Sequence, residues 1–536
     1  MLRLTELRLP LDHAAAALPA AVAVRLGLPE TALGTWHIHR RGYDARKGGD
    51  IQFIYAVDVA VADEAAVLAR LRDRRHIAAA PDETYRYPEP PPGAAGTRPV
   101  VIGTGPCGLF AALTLARMGR RPLVLERGQP ARERARDVWD FWRERRFRPA
   151  SNVQFGEGGA GTFSDGKLHS GIKDRAHRIP RILRDFVDCG APPEILYISK
   201  PHIGTLRLVK VVEELRGRII EAGGEVRFGA EVTDLLLEQG HVAGVRLAGG
   251  ETLDTDQVVL AIGHSARDTF AMLHARGVAL EAKPFSIGFR IEHPQSLIDQ
   301  RRLGRHAGNP QLGAADYKLV HHARNGRAVY SFCMCPGGQV VAATSEEGRV
   351  VTNGMSHYSR NERNANAGIV VGITPADFGD PHVLAGVALQ QRLESQAYVL
   401  GGGNYNAPAQ RVGDFLAGRA SSGCGAVVPS YTPGVTWTDL STALPDYAIA
   451  AIREALPAFD RTIHGFAMSD AVFTGVETRT SSPIRITRDD ATLQSVNTPG
   501  LFPAGEGAGY AGGILSAAVD GMRVAEAVAL WRREAG

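Results

Sequence analysis

The sequence predicts an α/β fold: a Rossmann-like dinucleotide-binding domain interrupted by a β-rich α+β insertion and preceded by a small α+β domain. Three observations predict it. The first is the stretch Arg98 to Gly128, RPVVIGTGPCGLFAALTLARMGRRPLVLERG, which reads as strand, glycine turn, helix, strand, acid. The second is Gly500 to Gly513, a short strand and glycine turn that opens an apolar helix from Ile514 to about Arg533. The third is a change of texture between 284 and 465, where strand-like pieces alternate with Gly/Asn-rich loops.

In the first stretch Gly103 permits a tight turn, Gly105 lets backbone approach a pyrophosphate, and Gly108 lets the helix sit close to the sheet. The helix N-terminus offers free N–H groups and a partial positive charge to phosphates. Glu126, at the end of the second strand, is placed to accept both hydrogen bonds of a ribose diol and to repel a 2′-phosphate. NADP is therefore disfavoured in this site, while FAD and NAD both satisfy it.

The remaining elements follow in order. Residues 1–88 form the N-terminal unit: a strand carrying Leu2, Leu4, Leu7 and Leu9, a helix from Ala14 to Leu26, β-rich segments Thr35 to Gly42 and Ile51 to Ala62 around a hairpin-like turn, and a helix from Glu64 to Arg74. Residues 89–98 are a stiff Pro-rich linker. Residues 99–283 and 466–536 form the discontinuous nucleotide-binding domain, and 284–465 the insertion on the substrate side. Asn152 to Ser170 is a second glycine loop after the acid, with Gly156, Gly158, Gly159 and Gly161 open to something flat or anionic. Gly224 to Leu237, His241 to Leu247 and Glu251 to Leu253 read as successive strands of a meander. Val258 to Gly263 is a buried strand that returns the chain to the cofactor.

Bulk properties exclude several classes. The chain has 536 residues, a net charge of +4 and five cysteines. That charge demands neither a nucleic acid nor an anionic membrane, and sparse, odd cysteines suit a reducing compartment. No window reaches a transmembrane length. The protein is read as cytoplasmic. The Arg-rich segment Ala131 to Arg148 carries interleaved Glu and Asp, so a salt-bridged helix is favoured over a nucleic-acid surface. The basic stretch from His37 to Lys47 is read as a solvated hairpin tip.

Several motifs carry a resemblance. GTGPCG with ERG, AIGHSARD and PAGEGAGYAGGI resemble the three cofactor-contact motifs of the glutathione-reductase-like FAD/NAD(P)-binding superfamily. More closely, NVQFGEGGAGTFSDGKL, KPHIGT, KPFSIGFRIEHPQ, SFCMCPGGQVV and GVETRTSSPIRI resemble the bacterial FAD-dependent dehydrogenase family. The resemblance implies a flavoprotein oxidoreductase with a Rossmann-like FAD-binding domain, acting on a small-molecule substrate that the family does not name. It implies cofactor contacts at Gly103, Gly105, Pro106, Gly108, Glu126, Arg127, Gly158, Gly159, Gly161, Ser164, Val232, Gly263, Gly505, Glu506, Gly513 and Ile514. Glu506 stands where the superfamily usually has Asp.

Candidates for chemistry are Lys167, His169, Lys200, His202, His264, Arg290 and the pair Cys333 and Cys335. On a straight strand the two cysteines share a face, where they could form a redox pair at the flavin edge, join His321 and His322 in what would be an incomplete zinc site, or be plain buried thiols. No metal site is expected. No second GxGxxG in a strand–helix context follows, which suggests that an electron partner docks without its own nucleotide domain. NAD(P)H stays open as an external donor. Dehydrogenase or reductase chemistry leads, with a flavin monooxygenase and an RNA- or nucleotide-binding flavoprotein as alternatives. The sequence does not address the oligomeric state.

Overall fold

The computed structural model describes residues 1–45, 50–71, 73–89, 97–168 and 170–531. The expected linker and the distal part of the basic hairpin fall mostly outside them.

At the N-terminus, strands Leu2–Pro10, Trp36–Asp44, Gln52–Val59 and Ile77–Ala79 and helices Ala17–Leu26 and Glu64–Arg70 follow a β-α-β-β-α-β plan. The sheet is antiparallel, with Gln52–Val59 and Leu2–Pro10 in its centre. Leu2 and Leu4 are fully buried while Arg3 turns away to Asp58, the period-two pattern of a one-sided strand. Asp63 caps the second helix by accepting from the Ala66 N–H at 2.8 Å. The short strand Ile77–Ala79 was not expected. It completes the sheet edge beside Leu2–Leu4.

The Rossmann-like core is a five-stranded parallel sheet in the order Leu501–Pro503, Val258–Leu260, Val100–Ile102, Leu123–Leu125, Glu225–Arg227. Every strand is three residues long; the four inner and far-edge strands are buried except for half-buried Ile102, as parallel strands covered on both faces must be, while the edge strand Glu225–Arg227 is half-buried throughout. One expectation is corrected here. Gly224 to Leu237 is not one meander strand: Glu225–Arg227 joins the parallel sheet, and the meander begins at Val232–Glu238, continuing through His241–Leu247 to Thr252–Asp254. Gly229, at φ +62°, lies in the break between the two.

Helices Pro106–Arg117 and Ile514–Leu530 pack side by side against the sheet. They come from opposite ends of the chain and approach so closely that a Cβ on Gly521 would stand 2.2 Å from the Cys107 carbonyl oxygen.

Residues from 285 onward build an eight-stranded sheet. Its path runs Val320–His322, Ala328–Ala342, Asn364–Ile373, Phe285–Pro294, Val472–Glu477, Ala407–Arg411, Val435–Trp437, with Thr352–Met355 paired to Ala328–Ala342. Val472–Glu477 was assigned to the nucleotide-binding part, which was to resume at 466. Instead it pairs with Phe285–Pro294, so the seam falls beyond Glu477. All six of its residues are buried, and a buried strand does not announce which sheet it enters.

Replacing Gly521 by Ala should force the two helices apart. Overpacking of this kind costs about 1–3 kcal/mol. Urea unfolding of G521A with an unchanged midpoint would show that the helix contact is not the close one described.

Candidate functional site

A cleft crosses the carboxyl ends of the parallel strands, where ligands of open α/β sheets bind. Its walls include Gly103, Gly105, Pro106, Glu126, Arg127, Gly159, Gly161, Ser164, Lys167, Val232, Gly263, Cys333, Glu506, Gly513 and Ile514. Glu126 follows one strand and Glu506 another, three places apart in the sheet, or about 14 Å at the usual strand spacing. The cleft is thus a trough with two ends.

At the Glu126 end the backbone approaches without room for side chains. A Cβ on Gly108 would stand 1.9 Å from the Gly103 carbonyl oxygen, and one on Gly159 would stand 2.9 Å from Gly105 Cα. Gly103 itself holds φ +101°, the left-handed region that glycine tolerates. The Glu126 carboxylate joins three segments. One oxygen accepts from the Thr104 N–H (2.9 Å) and hydroxyl (2.6 Å), the other from the N–H groups of Gly128 (2.9 Å) and Gly156 (3.0 Å). Those donors fill its acceptor positions. Of the four donors only the Thr104 hydroxyl is free to rotate. Arg127 lies over the Phe155 ring at 4.5 Å and is held by Asp268 at 2.9 Å.

Arg134 organises the glycine loop from behind. It is fully buried and donates to the carbonyls of Asn152, Val153, Gly156 and Glu157 at 2.6–3.2 Å. Burial lowers its pKa to about 10, opposed by Glu126 and Glu157. A Cβ on Gly156 would stand 2.4 Å from the Arg134 side chain, so that glycine makes room for the guanidinium.

At the other end stand Glu506, His264, Lys167, Phe332, Cys333 and Asn353. Burial pushes Glu506 up to about 7, against the Gly513 N–H and Lys283. His264 Nε2 lies 3.9 Å from Glu506 Oε1, and burial with Arg479 and Arg267 pushes the imidazole down to about 3. The Lys167 ammonium donates to the Met334 carbonyl and lies 3.3 Å from Asp165. Burial opposes its charge, but Cys335, Cys333 and Asp165 prevail and its pKa is raised.

Other sequence candidates lie elsewhere. Gly108, Gly158 and Gly505 shape the walls from behind. Gly505 gives its N–H to Asp520 at 2.8 Å, with no room for a Cβ beside Cys107. His202 sits outside the cleft, stacked on Tyr358 at 5.1 Å and bonded to its carbonyl at 3.0 Å. Cys335 is fully buried behind Cys333. His169 lies outside the described residues. Arg132, Arg136, Arg146 and Arg148 of the basic segment each pair with an acid, while Phe141 and Trp142 are buried.

A family model described as "FAD-dependent protein, C-terminal domain-like" matches residues 284–480, and a "Domain of unknown function (DUF8436)" matches residues 1–60. An uncharacterized protein of Clostridium beijerinckii is 45% identical over 98% of both chains. The chain belongs to the FAD-dependent oxidoreductase family. Protein FixC of Escherichia coli is 24% identical over 38% of this chain and 45% of its own. Among solved structures, a geranylgeranyl bacteriochlorophyll reductase-like protein from Thermoplasma acidophilum aligns at TM-score 0.35 and 15% identity, covering 80% of this chain and 77% of the other. A glycerol-3-phosphate dehydrogenase from Bacillus halodurans complexed with FAD aligns at TM-score 0.35 and 13% identity, covering 81% and 64%.

The cleft of this FAD-dependent oxidoreductase is also bounded by a charge network that sequence reading missed. Arg267, just after the AIGHSA turn, pairs with Glu394 at 2.7 Å and with Glu346. Arg479, at the seam, pairs with the same Glu394 at 2.7 Å and donates to Ser265 and Ser345 at 3.0 and 2.6 Å. Glu394 comes from helix Ala385–Leu400 of the inserted region. Burial penalises its charge, but the two guanidinium groups hold its pKa far below the carboxylate range.

Two outcomes are expected. Glu394→Gln removes the carboxylate paired with Arg479 and leaves Arg267 with Glu346 alone, and breaking such a network costs about 3–5 kcal/mol. A denaturant midpoint equal to wild type would refute it. Glu506 binds its proton more tightly folded than unfolded. Its contribution to stability therefore falls as pH rises from its ordinary value, about 4.3, to about 7. Unfolding of Glu506→Gln, followed from pH 5 to 8, should have a flatter profile than wild type.

Proposed function

We propose that this flavoenzyme is a dehydrogenase or reductase that uses FAD held along the trough to oxidise or reduce a small or medium organic substrate. The observation that carries this reading is one cleft lined by both Gly105 of the early turn and Gly513 of the late one. Two helix N-termini, at Pro106 and Ile514, open onto it, and both suit anionic groups.

The residues fit the cofactor. The glycine approaches at Gly105 and Gly159 leave a floor of backbone, and Gly263 and Gly513 face open space. In this reading Glu126, Arg127 and Val232 take the adenosine part. Gly103, Gly105, Pro106 and Gly159 take the diphosphate, with Gly108 and Gly158 supporting the turn. Gly161, Ser164, Glu506, Gly513 and Ile514 take the flavin. Bound FAD would supply hydride-transfer chemistry. The protein's part is to orient it, exclude water and place Glu506 and Lys167 beside its reacting end.

A second hollow supports the substrate reading. It includes Phe285, Ser286, Tyr330 and Thr374 and shares Phe332 and Thr480 with the trough. The hydroxyls of Ser286 and Tyr330 meet at 2.6 Å in its wall, giving a polar handle among apolar groups. Among the described residues only one parallel strand–helix core is present, so an NAD(P)H donor would dock without a nucleotide-binding domain of its own.

Purified protein should carry about one FAD per chain, and Gly159→Val should lose it while keeping its far-ultraviolet circular dichroism. A colourless protein that refuses added FAD defeats the proposal. Anaerobic NADH or NADPH should bleach the flavin slowly and without saturation. Saturable rapid bleaching would instead give the chain its own nicotinamide site, and oxygen uptake matched by hydroxylated product would make it a monooxygenase.

A further inference from the structure

Cys333 does not sit on a straight strand. The pairing of Ala328–Ala342 with Asn364–Ile373 slips between Phe332 and Cys335, and Cys333 adopts φ +42° in that bulge. A non-glycine residue in this region carries strain that the surrounding structure must sustain. Here Arg290 donates to the Cys333 carbonyl at 2.9 Å, and the Lys167 ammonium donates to the next carbonyl, that of Met334. Arg290 is itself fully buried and paired with Glu477 through Nε at 2.9 Å. The bulge puts Cys333 in the wall of the trough, beside Phe332 and Asn353, at the end that holds Glu506 and Gly513.

Cys335 lies directly behind. Its thiol donates to the Cys333 carbonyl oxygen, with the Sγ 3.4 Å away. A Cβ on Gly354 would stand 2.9 Å from Cys335 Sγ and 2.3 Å from Arg290 Nη1, so thiol and guanidinium share one tight pocket. The charged groups around Cys333 are Lys167, Arg290, Asp165, Glu477 and Glu506. The Cys335 hydrogen bond outweighs burial, and with the two cations it holds the Cys333 thiol well below its ordinary value, while Cys335 is driven up by Cys333 and by burial. The sulfur in the trough wall is thus the readier of the two to ionise, and the buried one the readier to keep its proton.

We propose that Cys333 and Cys335 form a dithiol/disulfide couple that exchanges two electrons with FAD bound in the trough, Cys333 being the sulfur that faces the flavin. This rests on the FAD reading above. In the oxidising direction the Sγ–Sγ bond forms and the Cys335 S–H bond breaks. Two electrons and that proton pass to oxidised flavin, leaving it as the reduced anion. The reverse step reopens the disulfide. The proposal narrows the partner class to thiols as electron donors, or disulfides and other two-electron acceptors, able to reach the trough through the hollow beside Phe332.

The test uses the FAD-loaded protein. Anaerobic dithionite titration should take four electrons per FAD in wild type and two in Cys335→Ser. Alkylation after unfolding should find two fewer free thiols in the oxidised protein than the five in the sequence. All five should return after reduction, with the oxidised link mapped to the peptide holding Cys333 and Cys335. The Cys335→Ser protein should show long-wavelength thiolate-to-flavin absorbance that Cys333→Ser lacks. Two electrons per FAD in wild type, or four persisting in Cys335→Ser, overturns the couple. A preparation that takes up no FAD defeats the cofactor reading, and the proposal with it; the alkylation count then shows separately whether the two thiols pair.

Discussion

The site depends on a buried carboxylate that serves backbone rather than side chains. Glu126 draws the turn after Val100–Ile102, the end of its own strand and the loop at Gly156 onto one pair of oxygens, using three N–H groups and one hydroxyl. Arg134 does the reverse from beneath, offering its donors to four loop carbonyls. An unmet buried polar group costs about 1–3 kcal/mol, and each would cost that several times over if the loop left. The loop therefore has one low-energy path, and the glycines at 105, 156 and 159 are what that path leaves room for.

The second constraint joins the two large parts of the chain. Arg267 belongs to the nucleotide-binding core, Glu394 to the insertion, and Arg479 to the seam between them. A buried triad is weak evidence for stability, since an apolar replacement often does as well. Its value lies in register. In this docking of the sheets both guanidinium groups meet Glu394, and Arg267 also meets Glu346, so the wall formed by Phe332, Cys333 and Asn353 meets the trough at a defined height.

What was legible in the sequence were the features that backbone sterics impose locally. The glycine spacing from Gly103 to Gly108, the acid at Glu126 and the turn before Ile514 are short-range demands, and they mark the trough without any partner in view. Strand membership was not local. Nothing in Val472–Glu477 says that it pairs with Phe285–Pro294, nor does Glu225–Arg227 reveal that it belongs with Leu123–Leu125 rather than with the meander. Arg134 read as one more arginine of a surface helix, because its hydrogen bonds are to carbonyls that carry no sequence signature. Glu394 and Arg479 lie 85 positions apart, a separation at which no pattern links an acid to a base.

The bulge at Cys333 shows how such non-local terms can serve chemistry. A strand that ran straight through the pair would hold both sulfurs on one face, equally buried, with nothing to distinguish them. The slipped register separates them by environment instead: Cys333 turns outward to the trough with its carbonyl taken by Arg290, while Cys335 stays inside against the same arginine. Two thiols of one type, two residues apart, thereby acquire opposite proton affinities. That asymmetry is what a two-electron couple needs, because the attacking sulfur must be ionised and its partner must carry the proton that leaves. The strain at φ +42° is borne by the cations that also set the asymmetry, so geometry and charge are parts of one arrangement.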